Sequence, residues 1–112
     1  MKKLHFVLWV CLGVLGFCSG CATTQRGAIM RAQSGIEKGK YEFSLRRLSE
    51  AEHFKQPTPA VGAEIAYLKG VCFAALNKPD EATAMFKFVA DHFPDTAYGY
   101  MTKEKLSELQ KK

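Results

Sequence analysis

Apolar residues recur at intervals of three and four along most of the chain, and this spacing constrains the fold more than any other feature. An α-helix has about 3.6 residues per turn, so residues at such intervals lie along one helical face. No segment alternates apolar and polar residues in the manner of a half-buried strand. The sequence therefore predicts an all-α fold. The five apolar stripes span residues 28–36, 41–51, 65–76, 82–93 and 97–109.

Residues that break helices separate the five stripes. A Lys38–Lys40 turn centred on glycine follows the first stripe, and a linker with prolines at 57 and 59 follows the second. Asn77 to Pro79 and then Pro94 form the remaining breaks, and Pro79 suits the first turn of a helix. Short connections favour antiparallel neighbours. We therefore expect about two antiparallel helical hairpins followed by a C-terminal capping helix.

The N-terminus has the composition of a secretory signal. Lys2 and Lys3 precede a charge-free apolar run over residues 6–17, and the small residues Ser19 and Gly20 follow it. The run is shorter than the roughly 20 residues that span a bilayer. A signal peptide over residues 1–20 is therefore predicted. The alternative is an uncleaved membrane anchor, since the low-charge stretch can be extended through residue 22.

The end of this signal resembles a bacterial lipobox, in which small residues precede a cysteine that becomes lipidated. Ser19, Gly20 and Cys21 fit that pattern, while Cys18 stands where the family usually has leucine. The resemblance implies a lipoprotein in which Cys21 carries diacylglycerol and an N-acyl chain such as palmitate. Several acyl chains hold a protein on a bilayer where one alone is marginal.

The same resemblance implies a division of the chain and a location. Residues 21–26 would be a lipidated tether, and residues 27–112 would form the helical domain. Ala22 rather than aspartate follows the cysteine, which implies sorting to the outer membrane, facing the periplasm of the bacterial cell envelope. Cys11 and Cys18 would leave with the signal.

The third and fourth stripes resemble a tetratricopeptide (TPR) repeat. The matching residues are Gly70, Phe73, Ala82, Phe86 and Pro94. Ala66 stands where the repeat has an aromatic residue, and Lys69 where it has leucine. Small Gly70 and Ala82 would let the paired helices approach closely, while Phe73 and Phe86 would fill the space between hairpins.

A weaker copy precedes this repeat at an offset of 38 residues. Its corresponding residues are Ala32, Gly35, Ser44 and Leu48. The resemblance covers roughly residues 25–110 and implies a fragment of an α-solenoid. Such arrays usually need three or more repeats for a continuous core, so we expect stabilisation by a partner, by self-association or by the fifth helix.

The TPR resemblance also implies a binding surface, because the first helix of each pair lines a concave face that receives a partner segment. The partner-binding residues predicted in this way are Ile29, Gln33, Ile36, Glu64, Tyr67, Val71, Tyr98, Met101 and Lys105. Methionine adapts its shape to a partner, and tyrosine supplies area with a polar tip. The alternative is that several of these residues pack within the helical stack.

Charge and reactive residues favour binding over other functions. The formal charge is +5, and loss of Lys2 and Lys3 with the signal lowers it by two, which is weak for nucleic-acid binding. His53 and His92 lack ligand partners at i, i+4 spacing, so no metal site or cofactor is expected. Cys72 lies among apolar residues and is interpreted as a small buried side chain. We expect no enzyme activity.

A group of basic residues in the first hairpin has two interpretations. It comprises Lys38, Lys40, Arg46, Arg47 and Lys55. A solvated helix face is one interpretation, and contact with anionic lipid head groups is the other.

Together these features predict a membrane-anchored periplasmic adaptor that binds another envelope protein. Residues 93–96, Phe-Pro-Asp-Thr, are similar to repeats of the outer-membrane protein assembly lipoprotein D family, of which this chain could match only a part. The pilotins, lipoproteins that escort secretin subunits to the outer membrane or support pili there, are a second similar class. An accessory structural lipoprotein of a secretion, pilus or polysaccharide system is the alternative.

Overall fold

The computed structural model describes residues 24–111, and in this part of the chain 82% of the residues are helical, with no strand. The prediction of an all-α fold is therefore confirmed. The predicted signal peptide and residues 21–23 of the predicted tether, which include Cys21, lie outside the described residues. None of the helices in residues 24–111 is long and apolar enough to cross a bilayer.

Five helices follow one another with short connections. They are α1 (Gln25–Glu37), α2 (Tyr41–Phe54), α3 (Pro59–Ala75), α4 (Pro79–His92) and α5 (Ala97–Gln110). Helix α1 packs on α2 and α3 packs on α4, so each pair is an antiparallel hairpin. Helices α2 and α3 join the two hairpins, and α5 packs on α4 and α3.

The N-terminal ends of α1, α3 and α5 share one device. Each begins after a threonine whose hydroxyl accepts a hydrogen bond from a backbone N–H three residues later: Thr24 from Gly27, Thr58 from Val61 and Thr96 from Gly99. Such caps satisfy donors that have no partner inside the helix. Helix α4 begins instead with Pro79 followed by Asp80 and Glu81, as predicted.

The two hairpin turns share their backbone conformation. Gly39 has φ +75° and Asn77 has φ +59°, and these residues are separated by the predicted 38-residue offset. Glycine and asparagine are the residues that adopt this left-handed conformation most readily. Thr58 and Thr96 are separated by the same offset. The hairpins are therefore similar in their turns as well as in their apolar stripes.

Helix α1 begins at Gln25, two residues before the predicted start of the domain. Gln25 is buried, and its side-chain Nε2 donates to the carbonyl oxygens of Ala51 and Lys55, both at 3.1 Å. These bonds hold the start of α1 against the end of α2. Gln25 and Arg26 thus belong to the folded domain rather than to a tether.

Close helix contacts in both hairpins depend on small residues. In the second hairpin, a Cβ on Gly70 would come within 2.5 Å of the Phe86 ring, so only glycine permits this approach. In the first hairpin, Gly35 lies against Ser44, whose hydroxyl is 2.8 Å from the Ala32 carbonyl oxygen. Phe86 also belongs to the apolar cluster that includes residues of α5. These contacts agree with the roles expected of Gly70 and Phe86.

Candidate functional site: the face formed by α1, α3 and α5

The first helix of each hairpin and the C-terminal helix contribute to one surface. Helix α3 lies between α1 and α5 and contacts both. Arg26 of α1 reaches Glu64 of α3, and Tyr67 of α3 packs against Tyr98 of α5 with ring centroids 5.3 Å apart. We call this surface the α1/α3/α5 face. Six of the nine predicted partner-binding residues lie on this face: Gln33, Glu64, Tyr67, Val71, Tyr98 and Lys105.

A buried carboxylate is the polar centre of this face. Glu64 is only 7% exposed, and Nη1 of Arg26 lies 3.0 Å from its Oε1 and 2.9 Å from its Oε2. Gln33 Nε2 donates to Oε1 at 3.2 Å. A buried carboxylate requires such partners because desolvation disfavours its charged form. The three side chains therefore fix a charged pair at the junction of the two hairpins.

Tyr98 adjoins this carboxylate, and Tyr67 packs against Tyr98. Burial raises the pKa of Tyr98, and the nearby negative charge of Glu64, together with a hydrogen bond to it, raises this pKa further. Burial likewise raises the pKa of Tyr67, whose ring also contacts Phe86 at a centroid distance of 5.7 Å. Both hydroxyls therefore stay protonated and remain hydrogen-bond donors across the physiological pH range.

A groove opens farther along the same face, between the C-terminal half of α3 and that of α5. It has a volume of about 470 Å³, and Val71 and Lys105 are on opposite walls. Phe86 of α4 and Leu109 of α5 supply apolar area, and Lys105 Nζ lies 3.3 Å from Glu108 Oε2. The groove thus combines an apolar floor with an exposed ion pair at its rim.

The remaining predicted residues lie apart from these two features. Ile29 is fully buried in the core formed with α2, so its side chain packs within the hairpin instead of facing a partner. Ile36 is half-buried and packs against the same core. Met101 is 42% exposed on α5. The groove-facing role predicted for Ile29 therefore does not agree with its position, because the apolar stripe of α1 is used by α2 and α3.

Sequence reasoning missed two contributors to this face. Arg26 precedes the first apolar stripe and falls in the predicted tether, yet it pairs with Glu64. The apolar periodicity places Leu109 in the fifth stripe, but it does not predict that Leu109 lines the groove. The 38-residue offset provided a signal for Arg26, since it places Arg26 and Glu64 at equivalent positions in their helices.

The reactive side chains of the described residues are dispersed. Cys72 is fully buried, as predicted, and desolvation raises its pKa to about 11, so it stays a thiol at neutral pH. His53 and His92 are exposed, and the His92 ring stacks on Phe88 with centroids 4.5 Å apart. No group of three or more His, Cys, Asp or Glu side chains in residues 24–111 is arranged to hold a metal ion.

The basic residues of the first hairpin do not form a single patch. Lys38 and Lys40 occupy the α1–α2 turn, whereas Lys55 follows the opposite end of α2. Arg47 pairs with Glu50 at 2.9 Å and lies over the Phe43 ring at 5.2 Å. The 13 residues of α1 separate its two ends by about 20 Å, which exceeds the range of unscreened charge in physiological salt. This arrangement favours the interpretation as solvated charges.

Comparison of the chain with protein-family models, curated proteins and solved structures finds no match in any of the three.

Proposed function

We propose that this protein is a lipid-anchored adaptor of the bacterial envelope, which binds a segment of another envelope protein on its α1/α3/α5 face. The observation that carries the proposal is the convergence of Glu64, Tyr67 and Tyr98 next to a groove between Val71 and Lys105. The role is one of binding and assembly, on the periplasmic side of the outer membrane. The lipobox residues Ser19 to Cys21 support the anchor.

The dimensions of the face suit a short segment. Val71 is seven positions after Glu64 in α3, which corresponds to about 10 Å along the helix axis. That distance accommodates about two turns of a partner helix or about three extended residues. Apolar side chains of the segment would occupy the groove lined by Phe86 and Leu109. Polar groups of the segment would contact Glu64 at one end of this stretch of the face and Lys105 at the other.

The anchor is tested by metabolic labelling with radioactive palmitate. The wild-type chain should incorporate label and sediment with the outer membrane, whereas Cys21→Ser should do neither because the acyl acceptor is gone. Cys72→Ser is the matched control and should label normally. Labelling that persists in Cys21→Ser would contradict the anchor.

The binding face is tested separately by recovery of the partner from solubilised envelopes. Lys105→Glu reverses a charge on the groove wall and should reduce recovery of the partner by about tenfold, equivalent to roughly 1.4 kcal/mol. Lys87→Glu makes the same change on exposed α4 and is the control. Equal recovery with the two variants would contradict binding at this face.

A further inference from the structure

Most of the large exposed apolar side chains of the described residues are near one end of the domain. The large ones that are at least 42% exposed are Met30, Phe54, Phe88, Tyr100 and Met101. Helices α1, α3 and α5 begin at this end, and α2 and α4 finish there. Four of them, Phe54, Phe88, Tyr100 and Met101, lie within four residues of that end of their helices, which is about 6 Å along the axis, whereas Met30 is near the middle of α1. We call this end of the domain the tether end.

Contacts between helices confirm that these termini lie together. Gln25, at the start of α1, donates a hydrogen bond to the carbonyl oxygen of Lys55, which follows α2. Gly62, near the start of α3, lies against the ring of Phe93, which follows α4. Gly99 near the start of α5 lies against the backbone of Phe93 and Pro94. Phe54, Phe88 and Tyr100 therefore surround one end of the bundle.

The turns at the opposite end of the domain are polar. Its hairpin turns carry Lys38, Lys40 and Lys78, and Asp80 and Glu81 begin α4 there. No large apolar side chain is exposed in this half of the described domain. Scattered exposed apolar residues are ordinary on soluble proteins, but their concentration near one end indicates an interaction surface.

The length of chain before α1 indicates what covers the tether end. Four Cα-to-Cα steps separate Cys21 from Gln25, so their Cα atoms can be at most about 14 Å apart. If Cys21 carries the lipid, as the proposed function holds, the tether end is thereby kept at the bilayer surface. The polar end is about 20 Å farther along α1.

We propose that the tether end docks on the membrane to which Cys21 is attached, with Phe54, Phe88 and Tyr100 entering the lipid head-group region. Aromatic side chains favour this interface because they combine apolar area with a polar or polarisable edge. The contact is apolar in character, because the exposed charges near this end have both signs, Arg26 and Lys55 against Asp91 and Asp95. The domain then stands on the bilayer with its Lys38–Lys40 turn directed into the periplasm.

The test measures how close each end lies to the lipid. The lipidated mature chain carrying Cys72→Ala is labelled with an environment-sensitive fluorophore at Gln56→Cys, on the tether end, or at Lys78→Cys, on the polar end. Both positions are exposed. Each protein is reconstituted into phosphatidylcholine vesicles containing a head-group nitroxide lipid. We expect strong quenching at position 56 and weak quenching at position 78, unchanged when salt is raised.

A substitution distinguishes docking from mere tethering. Phe54→Ser with Tyr100→Ser should lower quenching at position 56 by about twofold or more while the protein remains acylated, because the apolar contact is lost. Phe88 is left in place because its ring also packs against Phe93, with centroids 5.8 Å apart. The double variant Lys38→Ser, Lys40→Ser changes the polar end and should leave quenching at position 56 unchanged. With phosphatidylglycerol added to the vesicles, the same variant tests whether the polar end contacts anionic lipid.

Each contrary outcome has a distinct meaning. Equal quenching at both positions, or no effect of the aromatic substitutions, would overturn the docking proposal while acylation of Cys21 stands. Absence of acylation would overturn the anchor itself. Energy transfer between copies labelled at position 56, with little nitroxide quenching, would identify a second copy as the occupant and overturn the membrane assignment.

Discussion

Arg26 and Glu64 join the two hairpins through a paired contact, in which Arg26 Nη1 lies 2.9 Å from Glu64 Oε2 and 3.0 Å from Oε1. The arginine is about half exposed and the carboxylate is almost fully buried. Removing Arg26 would therefore leave a buried charge whose remaining hydrogen-bond partners are neutral side chains such as Gln33. Breaking a pair in this way costs more than the pair contributes, because the desolvation penalty is then uncompensated.

We expect Arg26→Ala to lower the free energy of unfolding by about 1–2 kcal/mol, a value reduced from that of fully buried pairs because Arg26 is exposed. Urea denaturation of a signal-free version measures the change. The double variant Arg26→Ala, Glu64→Gln should recover most of the loss, since it removes both charges. Arg31→Ala is exposed on the same helix and should change stability by less than about 0.5 kcal/mol. A loss equal to that of Arg31→Ala would contradict the role of this pair.

Gly70 tests the close approach of α3 and α4. A methyl group on Gly70 would lie 2.5–2.9 Å from atoms of the Phe86 ring, so Gly70→Ala should destabilise the protein by about 1–3 kcal/mol despite its better helix propensity. Gly62→Ala in the same helix is the matched control, because its new Cβ would first meet Phe93 at an ordinary 3.4 Å. That control should be neutral or stabilising by up to about 1 kcal/mol. Thermal unfolding of both variants provides the comparison, and similar midpoints would contradict the contact.

The buried Cys72 thiol predicts an alkaline limit to stability. Burial raises its pKa from 9.0 to about 11, so the folded state favours the protonated form. This contribution is complete below pH 9 and is lost as the pH rises through about 11, because the unfolded chain releases the proton first. We expect the free energy of unfolding to fall by about 1–3 kcal/mol over this range. In Cys72→Ala, the free energy of unfolding should change less with pH between pH 9 and 10. This interval lies below the range in which ionisation of Tyr67 and Tyr98 adds to the loss of stability. If the wild-type protein and Cys72→Ala lost stability equally between pH 9 and 10, ionisation of Cys72 would not be the cause.

The capping role of α5 is tested by truncation. Tyr98, Leu106 and Leu109 pack against the second apolar cluster, which α5 covers. A version ending before Thr96 should have a Tm lower by about 10 °C or more, because losing even 2 kcal/mol shifts a domain of this size by that amount. Removing only residues 111–112 should leave the Tm unchanged. An unchanged midpoint in the longer truncation would show that α5 does not cap the array.

The secondary structure follows closely from the apolar periodicity, whereas the position of individual side chains on the proposed binding face does not. The prolines at 59 and 79 and the turn residues Gly39 and Asn77 act locally, so their effects could be predicted from short segments. The position of Gln25 could not be predicted from a short segment. Its side-chain amide donates hydrogen bonds to carbonyl oxygens that lie 26 and 30 residues farther along the chain.

The same limitation applies to the placement of Ile29 and Ile36. Ile29 and Ile36 share one helical face in the sequence pattern, but the pattern does not say which neighbouring helix covers that face. Arg26 and Glu64 are 38 residues apart, and their pairing depends on how the hairpins pack. Side chains that stabilise the contact between hairpins are therefore the ones that local periodicity missed.

The most direct test of the adaptor proposal is photo-crosslinking in intact cells from one groove position and one outer position. A photoreactive amino acid at Lys105, on the groove wall, should capture one defined envelope protein, and the same residue at exposed Lys87 of α4 should not. Adding Val71→Asp should abolish the capture from position 105 while helicity and acylation are retained. Equal capture from positions 105 and 87, or capture unaffected by Val71→Asp, would contradict binding at the α1/α3/α5 face.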